Sequence, residues 1–268
     1  MIRRAKMDVA TLIAVLKGLA PELAAEGFVN IPAGRAGVTV KKLGVCVDPT
    51  EATITCAVNK GITILISYHP WQGEAQQLIR AGGIGIIPLH TAWDNAPEGA
   101  NVTFAREIGL TDITLSADFV HGKIDTIVKN LLEKCQRVVD QNIIPYFGEP
   151  RTPVKRVAIW TGPGFLPFNR KLWKNCCEQG CDTIISGELS LLPIRFAASH
   201  KLQLIDLGHS LMAKPGMANL ARIIKGRLNQ AGCSVEFFTE YYGCNYYTNF
   251  AYSQPNDSED FISLFTRR

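Results

Sequence analysis

Three of the five histidines in this 268-residue chain close short apolar runs: His69 ends ITILISYH, His90 ends IGIIPLH and His209 ends LQLIDLGH. Carboxylates fall at comparable places. Asp48 ends VKKLGVCVD, Asp94 follows His90 by four residues, and Glu188 ends CDTIISGE. Neutral imidazole combined with carboxylate is ordinary ligation for Zn, Mn or Fe. A single strand-end histidine often does no more than cap backbone groups. Three at equivalent positions leave two readings open, backbone caps or ligands of one site, because ligands of open α/β sheets bind outside the carboxyl ends of the strands.

The elements that must position these residues alternate along the chain. Strands are expected at 40–48, 62–70 and 84–90, with helices at 50–61 and 73–81 between them. ANVTFAREIG suggests a helix, and HGKIDTIVKNLLEKCQRVVDQ (121–141) a longer one, which leaves His121 and His200 at helix margins. The pattern restarts with strand KRVAIWTG, helix 167–179, strand CDTIISGE, helix 190–199, strand LQLIDLGH and helix 215–230. The expected fold is α/β, with two intimately packed lobes of mostly parallel sheets flanked by helices. Residues 1–118 and 205–268 are assigned to the first lobe and 119–204 to the second, with a turn of the plan near Ser116–His121.

Composition narrows the function. Hydrophobic residues make up 47% and charged residues 19%, and 28 basic against 24 acidic side chains leave +4, too little to argue for nucleic acid. No apolar run reaches the roughly 20 residues that span a bilayer, so no membrane role is expected. Eight cysteines inside strand or helix patterns, with no signal-like start, read as reduced thiols of a cytoplasmic protein. Cys176, Cys177 and Cys181 lack a second short-spaced pair and read as buried, not as zinc ligands. AGGIGI (81–86) lies between helix and strand, so its glycines cap the helix. TGPGF (161–165) reads as a tight turn. The aromatic tail FFTEYYGCNYYTNFAY (237–252) carries no Lys or Arg and suits a core or subunit interface.

The same strand ends carry a resemblance. LGVCVDPTEATITCAVNKGITILISYHPWQ (43–72) is similar to the strand, Asp-x-Thr helix and His-His-Pro strand of the Nif-three-like family, whose members often bear the name GTP cyclohydrolase 1 type 2. HTAWDNAPEGANVTFAREIGL (90–110) resembles that family's His-x-x-x-Asp segment with its Gly-x-Asn turn. RVAIWTGPG, GCDTIISGEL and DLGHS resemble its Gly-rich turn, Thr-Gly-Glu and Gly-His-Tyr segments, in the same order. The resemblance implies a toroidal hexamer and a two-metal site between the lobes, built from five ligands. At those five positions this chain has Tyr68, His69, Asp94, His209 and Ala213. Three match and two do not. Leu191 replaces a frequent histidine, and GFVNI (27–31) replaces a Trp-Asp-Asn segment.

The two losses have a charge consequence. Paired dications lie about 3.5–4 Å apart and need bridging anions. Ala213 cannot bridge, a phenol of pKa about 10 is no anion at neutral pH, and Lys214 adds positive charge. The expected metal set is therefore His69, Asp94 and His209, holding at most one ion per chain (Zn, Mn or Fe), with Glu188 and His90 as proton carriers and Glu98 as a further carboxylate within possible reach. His209 is expected within about 10 Å of His69, inside shared metal shells. Two functions follow. One is a metal-dependent hydrolase of a nucleotide-like or small polar substrate; the alternative is a non-catalytic ring-forming binding or scaffold protein with a vestigial metal site. A homo-oligomer, with a hexamer favoured, is expected in both, with protein partners open to it.

Overall fold

Leu43–Cys46 is buried at every position, and so are Ile64–Ser67 and Gly85–Pro88. Strands buried on both faces need cover on both. That requirement organises this computed structural model, which describes residues 7–24, 28–31, 37–71, 76–116, 119–228 and 232–239. Strands β1 (Lys42–Cys46), β2 (Ile64–Ser67) and β3 (Gly85–Pro88) are parallel neighbours, and β10 (Ser234–Phe237) adds in parallel beside β1, in the order β10-β1-β2-β3. Alternate side chains serve opposite faces. Val45, Ile66 and Ile87 meet Leu12 and Leu16 of α1 (Val9–Leu19) and Met217 and Leu220 of α9 (His209–Leu228). Leu65 and Ile86 meet Ile54 of α2 (Glu51–Asn59) and Ile79 of α3 (Gln76–Ala81).

The second sheet has six strands in the order β4-β5-β7-β8-β9-β6. These are β4 (Thr111–Leu115), β5 (Val120–Ile127), β6 (Tyr146–Phe147), β7 (Pro153–Ile159), β8 (Thr183–Ser186) and β9 (Gln203–Asp206). One face packs Val157, Ile159, Ile185 and Ile205 beneath α5 (Ala100–Glu107) and α6 (Val128–Val139). The other packs Ala158, Ile184 and Leu204 beneath α7 (Arg170–Glu178) and α8 (Leu191–His200). Helix α9 spans both cores, with Met212 in the second and Ala213 in the first. It follows β9 and returns the chain to the first sheet. Among the described residues no helix is long and apolar enough to cross a membrane.

Several sequence expectations need correction. The single helix expected over 121–141 is strand β5 followed by α6, so His121 lies on a strand. The β-branched Ile124, Thr126 and Ile127 favour extended backbone, and pairing with β4 and β7 on either side fixes it. Apolar residues at 124, 128 and 131 had mimicked a helical repeat. The second sheet is mixed: β7, β8 and β9 are parallel, whereas β4, β5 and β6 are antiparallel to their neighbours. Helix α9 starts at His209 instead of 215 and carries Pro215 inside it. The lost backbone bond there is outweighed by packing, since Gly216 sits so close to Ala100 that an added Cβ would lie 2.5 Å from its Cα. Strand β4, placed with the first lobe by sequence, pairs with β5 in the second sheet.

Other expectations hold locally. Gly83 takes φ +65° after α3, and Gly162 takes φ +113° in the turn after β7. Cys176 and Cys181 are buried, and among the described residues none of the seven cysteines is in a disulfide. Most of the aromatic tail, and Cys244 with it, lies outside the described residues.

Candidate metal centre

The strand ends of the two sheets face one another, and each supplies part of the site. β1 leads to Asp48 and then to α2, which is capped by Thr50 Oγ1 accepting from Thr53 N at 3.0 Å. β2 leads to Tyr68 and His69, whose backbone N–H groups both donate to Val47 O at 3.1 Å. β3 leads to His90, which opens α4 (His90–Asp94) with φ +40°. In the second sheet, β8 leads to Glu188 at φ +68° and β9 to His209. Positive φ is uncommon outside glycine and is retained where the surroundings fix it. His90 N donates to Tyr68 O at 2.9 Å, and the Asp206 carboxylate accepts from Glu188 N, Leu189 N and Gly208 N at 3.2, 2.8 and 2.8 Å. Gly187 is needed here because an added Cβ would meet Gly162 O at 3.0 Å and His209 N at 3.1 Å.

His69, His90 and His209 converge so that one ring nitrogen from each lies within 4.8 Å of the others. The rings of His69 and His209 are 4.7 Å apart, edge to face. Two of the three are braced by carboxylates. His69 Nδ1 is 2.5 Å from Asp48 Oδ1, and His209 Nδ1 is 3.0 Å from Glu188 Oε1. A carboxylate on Nδ1 orients an imidazole and leaves Nε2 as the coordinating atom. His69 Nε2 is buried and has no hydrogen-bond partner among the described residues. Burial, and then the neighbouring imidazoles, hold His90 below its ordinary pKa; burial and His69 lower His209 against the opposing pull of Glu188 and Asp48. Both effects favour the neutral, ligating form.

The three histidines could hold a metal ion, and the chemistry of the set fits one dication. Three neutral imidazoles carry no charge, and Asp48 and Glu188 together offset two positive charges. Three imidazoles with a fourth position open is a known catalytic arrangement for zinc. His69 and His209 side chains are 17% and 30% exposed, so the group is reachable from solvent.

Tyr68 and Asp94 form a different kind of pair beside it. Tyr68 Oη lies 2.9 and 2.8 Å from the two oxygens of Asp94, and both side chains are buried. Burial pushes the Asp94 carboxyl up to about 8 against the lowering effect of the tyrosine hydrogen bond. Burial, and then Asp94, raise the Tyr68 phenol well above its ordinary value. Both shifts favour the uncharged forms of the pair. The Tyr68 ring packs against both His69 and His90, at 4.7 and 5.5 Å between centroids, so the pair walls the histidine group.

Of the residues singled out from sequence, the structure brings together His69, His209 and His90. Asp94 does not belong to the close group; its oxygens are taken up by Tyr68. Glu188 braces His209, while Glu98 pairs with Arg106 at 2.7 Å. Sequence reasoning gave His90 a proton-carrying role and took Asp94 as the ligand, as the family resemblance implies. The role of Asp48 was missed, though its place at the end of β1, beside the end of β2, was the available signal. Asn101 was missed too: its side chain donates to Asp94 O at 3.3 Å and accepts from Thr161 N at 2.7 Å, tying α4 to the end of β7.

Comparison with known proteins agrees with this architecture. A "GTP cyclohydrolase 1 type 2 homolog" of Clostridium perfringens is 22% identical over 263 residues, covering 86% of this chain and 95% of the relative. One from Methanothermobacter thermautotrophicus is 27% identical over 170 residues, covering 62% and 68%. Among solved structures, Staphylococcus aureus protein SA1388 superposes with a TM-score of 0.78 at 19% identity, covering 90% of this chain and 99% of that one. Reduced HcgD from Methanocaldococcus jannaschii gives 0.73 at 19% identity, covering 87% and 98%. These structural likenesses establish the fold. Residues 7–242 match the sequence profile of Duf34/NIF3 (NGG1p interacting factor 3), and the chain belongs to that family.

Proposed function

We propose that this protein holds a single divalent metal ion on His69, His90 and His209 and acts as a metal-dependent hydrolase on a nucleotide-like or other small polar substrate. The observation that carries the reading is the convergence of three ring nitrogens within 4.8 Å, one of them the buried, unpartnered Nε2 of His69. An all-imidazole set suits Zn or Fe better than Mn, which prefers oxygen ligands. A bound ion there would supply Lewis acidity at an open coordination position. The chain's own residues do the rest. Asp48 and Glu188 fix the orientation of His69 and His209, Tyr68 and Asp94 close one side against water, and Glu188, whose side chain is 40% exposed, is the group at the rim able to carry a proton. No residue in the site selects guanine. That none of the seven described cysteines is in a disulfide supports a reducing, cytoplasmic setting.

The test is hydrolysis of activated phosphate and carboxylate esters by protein loaded with Zn or Fe and counted at one ion per chain. Turnover that disappears in His69→Ala supports the reading. Turnover persisting in that variant contradicts it. A loaded wild type without turnover favours a second reading, a ring-forming, non-catalytic protein with a vestigial or structural metal. Tyr68 and Ala213 at two family ligand positions favour that reading, as do exposed Leu191 and Leu192 at the start of α8, which suit a subunit contact. Light scattering would show a hexamer.

A further inference from the structure

A cleft of about 280 Å³ opens beside the histidine group, lined by Thr91, Asp94 and Asn95 from one sheet's strand ends and by Trp160, Phe168 and Lys171 from the other's. It is continuous with the site through the chain itself. Thr91 and Asp94 lie on α4, whose first residue is His90. Trp160 leads into Gly162, where an added Cβ would come within 3.5 Å of His209 Nε2. The lining is uneven in a way that a structural role does not explain. Phe168 is 76% exposed on a single 3-10 turn (Pro167–Asn169), whereas Phe165, just before that turn, is fully buried. An exposed aromatic ring on the wall of a cleft that holds a second aromatic offers a stacking platform for a flat ligand. Among the described lining residues Lys171 is the cation, beside the neutral Thr91, Asn95 and Asn169. Arg170 and Lys171 open α7, whose first turn contains no acidic residue, so side-chain charge and helix dipole act together on an anion. The one carboxyl on the wall, Asp94, is buried and already bonded to Tyr68 through both oxygens.

We propose that this cleft is a binding site for a planar, single-ring anion, such as an aromatic or heteroaromatic carboxylate, with the ring against Trp160 and Phe168 and the anionic group toward Lys171. Ligand pockets run from roughly 300 to 1,000 Å³, so a cleft of about 280 Å³ matches one ring with a short substituent. As the place of the substrate it rests on the metal-site reading above; as a binding site it stands independently.

Calorimetric titration with benzoate, cyclohexanecarboxylate, benzamide and GTP tests it on the full chain. Benzoate should bind with Kd of about 1 mM or tighter. Cyclohexanecarboxylate, which keeps the charge and loses the planarity, and benzamide, which keeps the ring and loses the charge, should each bind about tenfold more weakly. Phe168→Ala, at a position too exposed to threaten folding, should weaken benzoate about tenfold, and Lys171→Gln should erase its advantage over benzamide. Metal content should not change in either variant. No benzoate binding, equal binding of benzoate and cyclohexanecarboxylate, GTP binding lost in Phe168→Ala in place of benzoate, or indifference to both substitutions overturns the proposal. His69→Ala separates the two readings: it should lose metal and retain benzoate. Loss of benzoate binding there would remove the cleft's independence, and benzoate binding to a protein that never takes up metal would leave the cleft standing while the metal reading fails.

Discussion

Two groups of side chains stand side by side at the junction of the sheets, and they have met the problem of burial in opposite ways. The Tyr68–Asp94 pair is closed: one hydroxyl serves two carboxyl oxygens, and the carboxyl's raised pKa lets it remain neutral. The histidine group is open: two of its rings are braced from behind by carboxylates, and a buried nitrogen of His69 is left without a partner among the described residues. A buried polar atom without a hydrogen bond costs free energy. The difference teaches that a buried phenol and carboxyl can satisfy each other and become a wall, whereas imidazoles braced at Nδ1 keep their other ring nitrogens directed at a common point.

The largest expected effect comes from breaking the open half. His69→Ala should lower metal affinity by more than about 100-fold, beyond the 10–100-fold typical of losing a supporting partner. Asp48→Asn should cost about 10–100-fold, because it loosens His69 without removing it. Glu188→Gln should fall at the lower end of that range, since its side chain is 40% exposed against 3% for Asp48. Equilibrium dialysis with Zn orders the three variants. An Asp48→Asn protein with unchanged affinity would show that the brace is only structural.

The closed half predicts a stability effect. Tyr68→Phe leaves the buried Asp94 carboxyl without its donor and should destabilise the fold by about 1–3 kcal/mol in urea unfolding. The same comparison can be sharpened by reversal. Tyr68→His together with Ala213→Glu should reopen the closed half and raise capacity to two ions per chain, and Ala213→Glu alone should do more than Tyr68→His alone, because a carboxylate offsets metal repulsion while an imidazole adds only a neutral donor. No gain in the double variant would show that the missing second ion has another cause.

The smallest effect is remote from both halves. His121 is buried on β5, where it accepts from Arg156 Nη1 at 3.2 Å, and burial followed by the Arg156 charge holds its pKa below 6.5. Below pH 6.5 the unfolded chain therefore binds the proton more readily than the folded one. This contribution to stability is complete above 6.5 and is lost as pH falls toward the folded value. His121→Gln should make the acid-side decline shallower. It should not abolish it, because His90 and His209 are shifted the same way.

How much of this was legible in the sequence depends on whether the information was local. Strand ends were, because apolar runs closing in Asp48, His69, His90 and His209 mark both the strand and the edge at which its last side chain emerges. The convergence of His209 on His69 across 140 residues followed from the resemblance and is met at 4.7 Å between rings. What the sequence could not decide was which of two neighbouring candidates, His90 or Asp94, faces the others. That is set by the positive φ at His90 and by the hydroxyl that Tyr68 extends to Asp94. The strand at 120–127 was hidden for the opposite reason: its apolar residues fit a helical repeat, and only pairing with β4 and β7, distant in sequence, excludes the helix.

The most direct measurement is metal content per chain, after dialysis against excess Zn and removal of free ion, for the wild type, His90→Ala and Asp94→Asn. A three-histidine site beside a closed Tyr68–Asp94 pair predicts one ion in the wild type, one in Asp94→Asn and none in His90→Ala. Two ions in the wild type, or an ion lost with Asp94 and kept without His90, would contradict it.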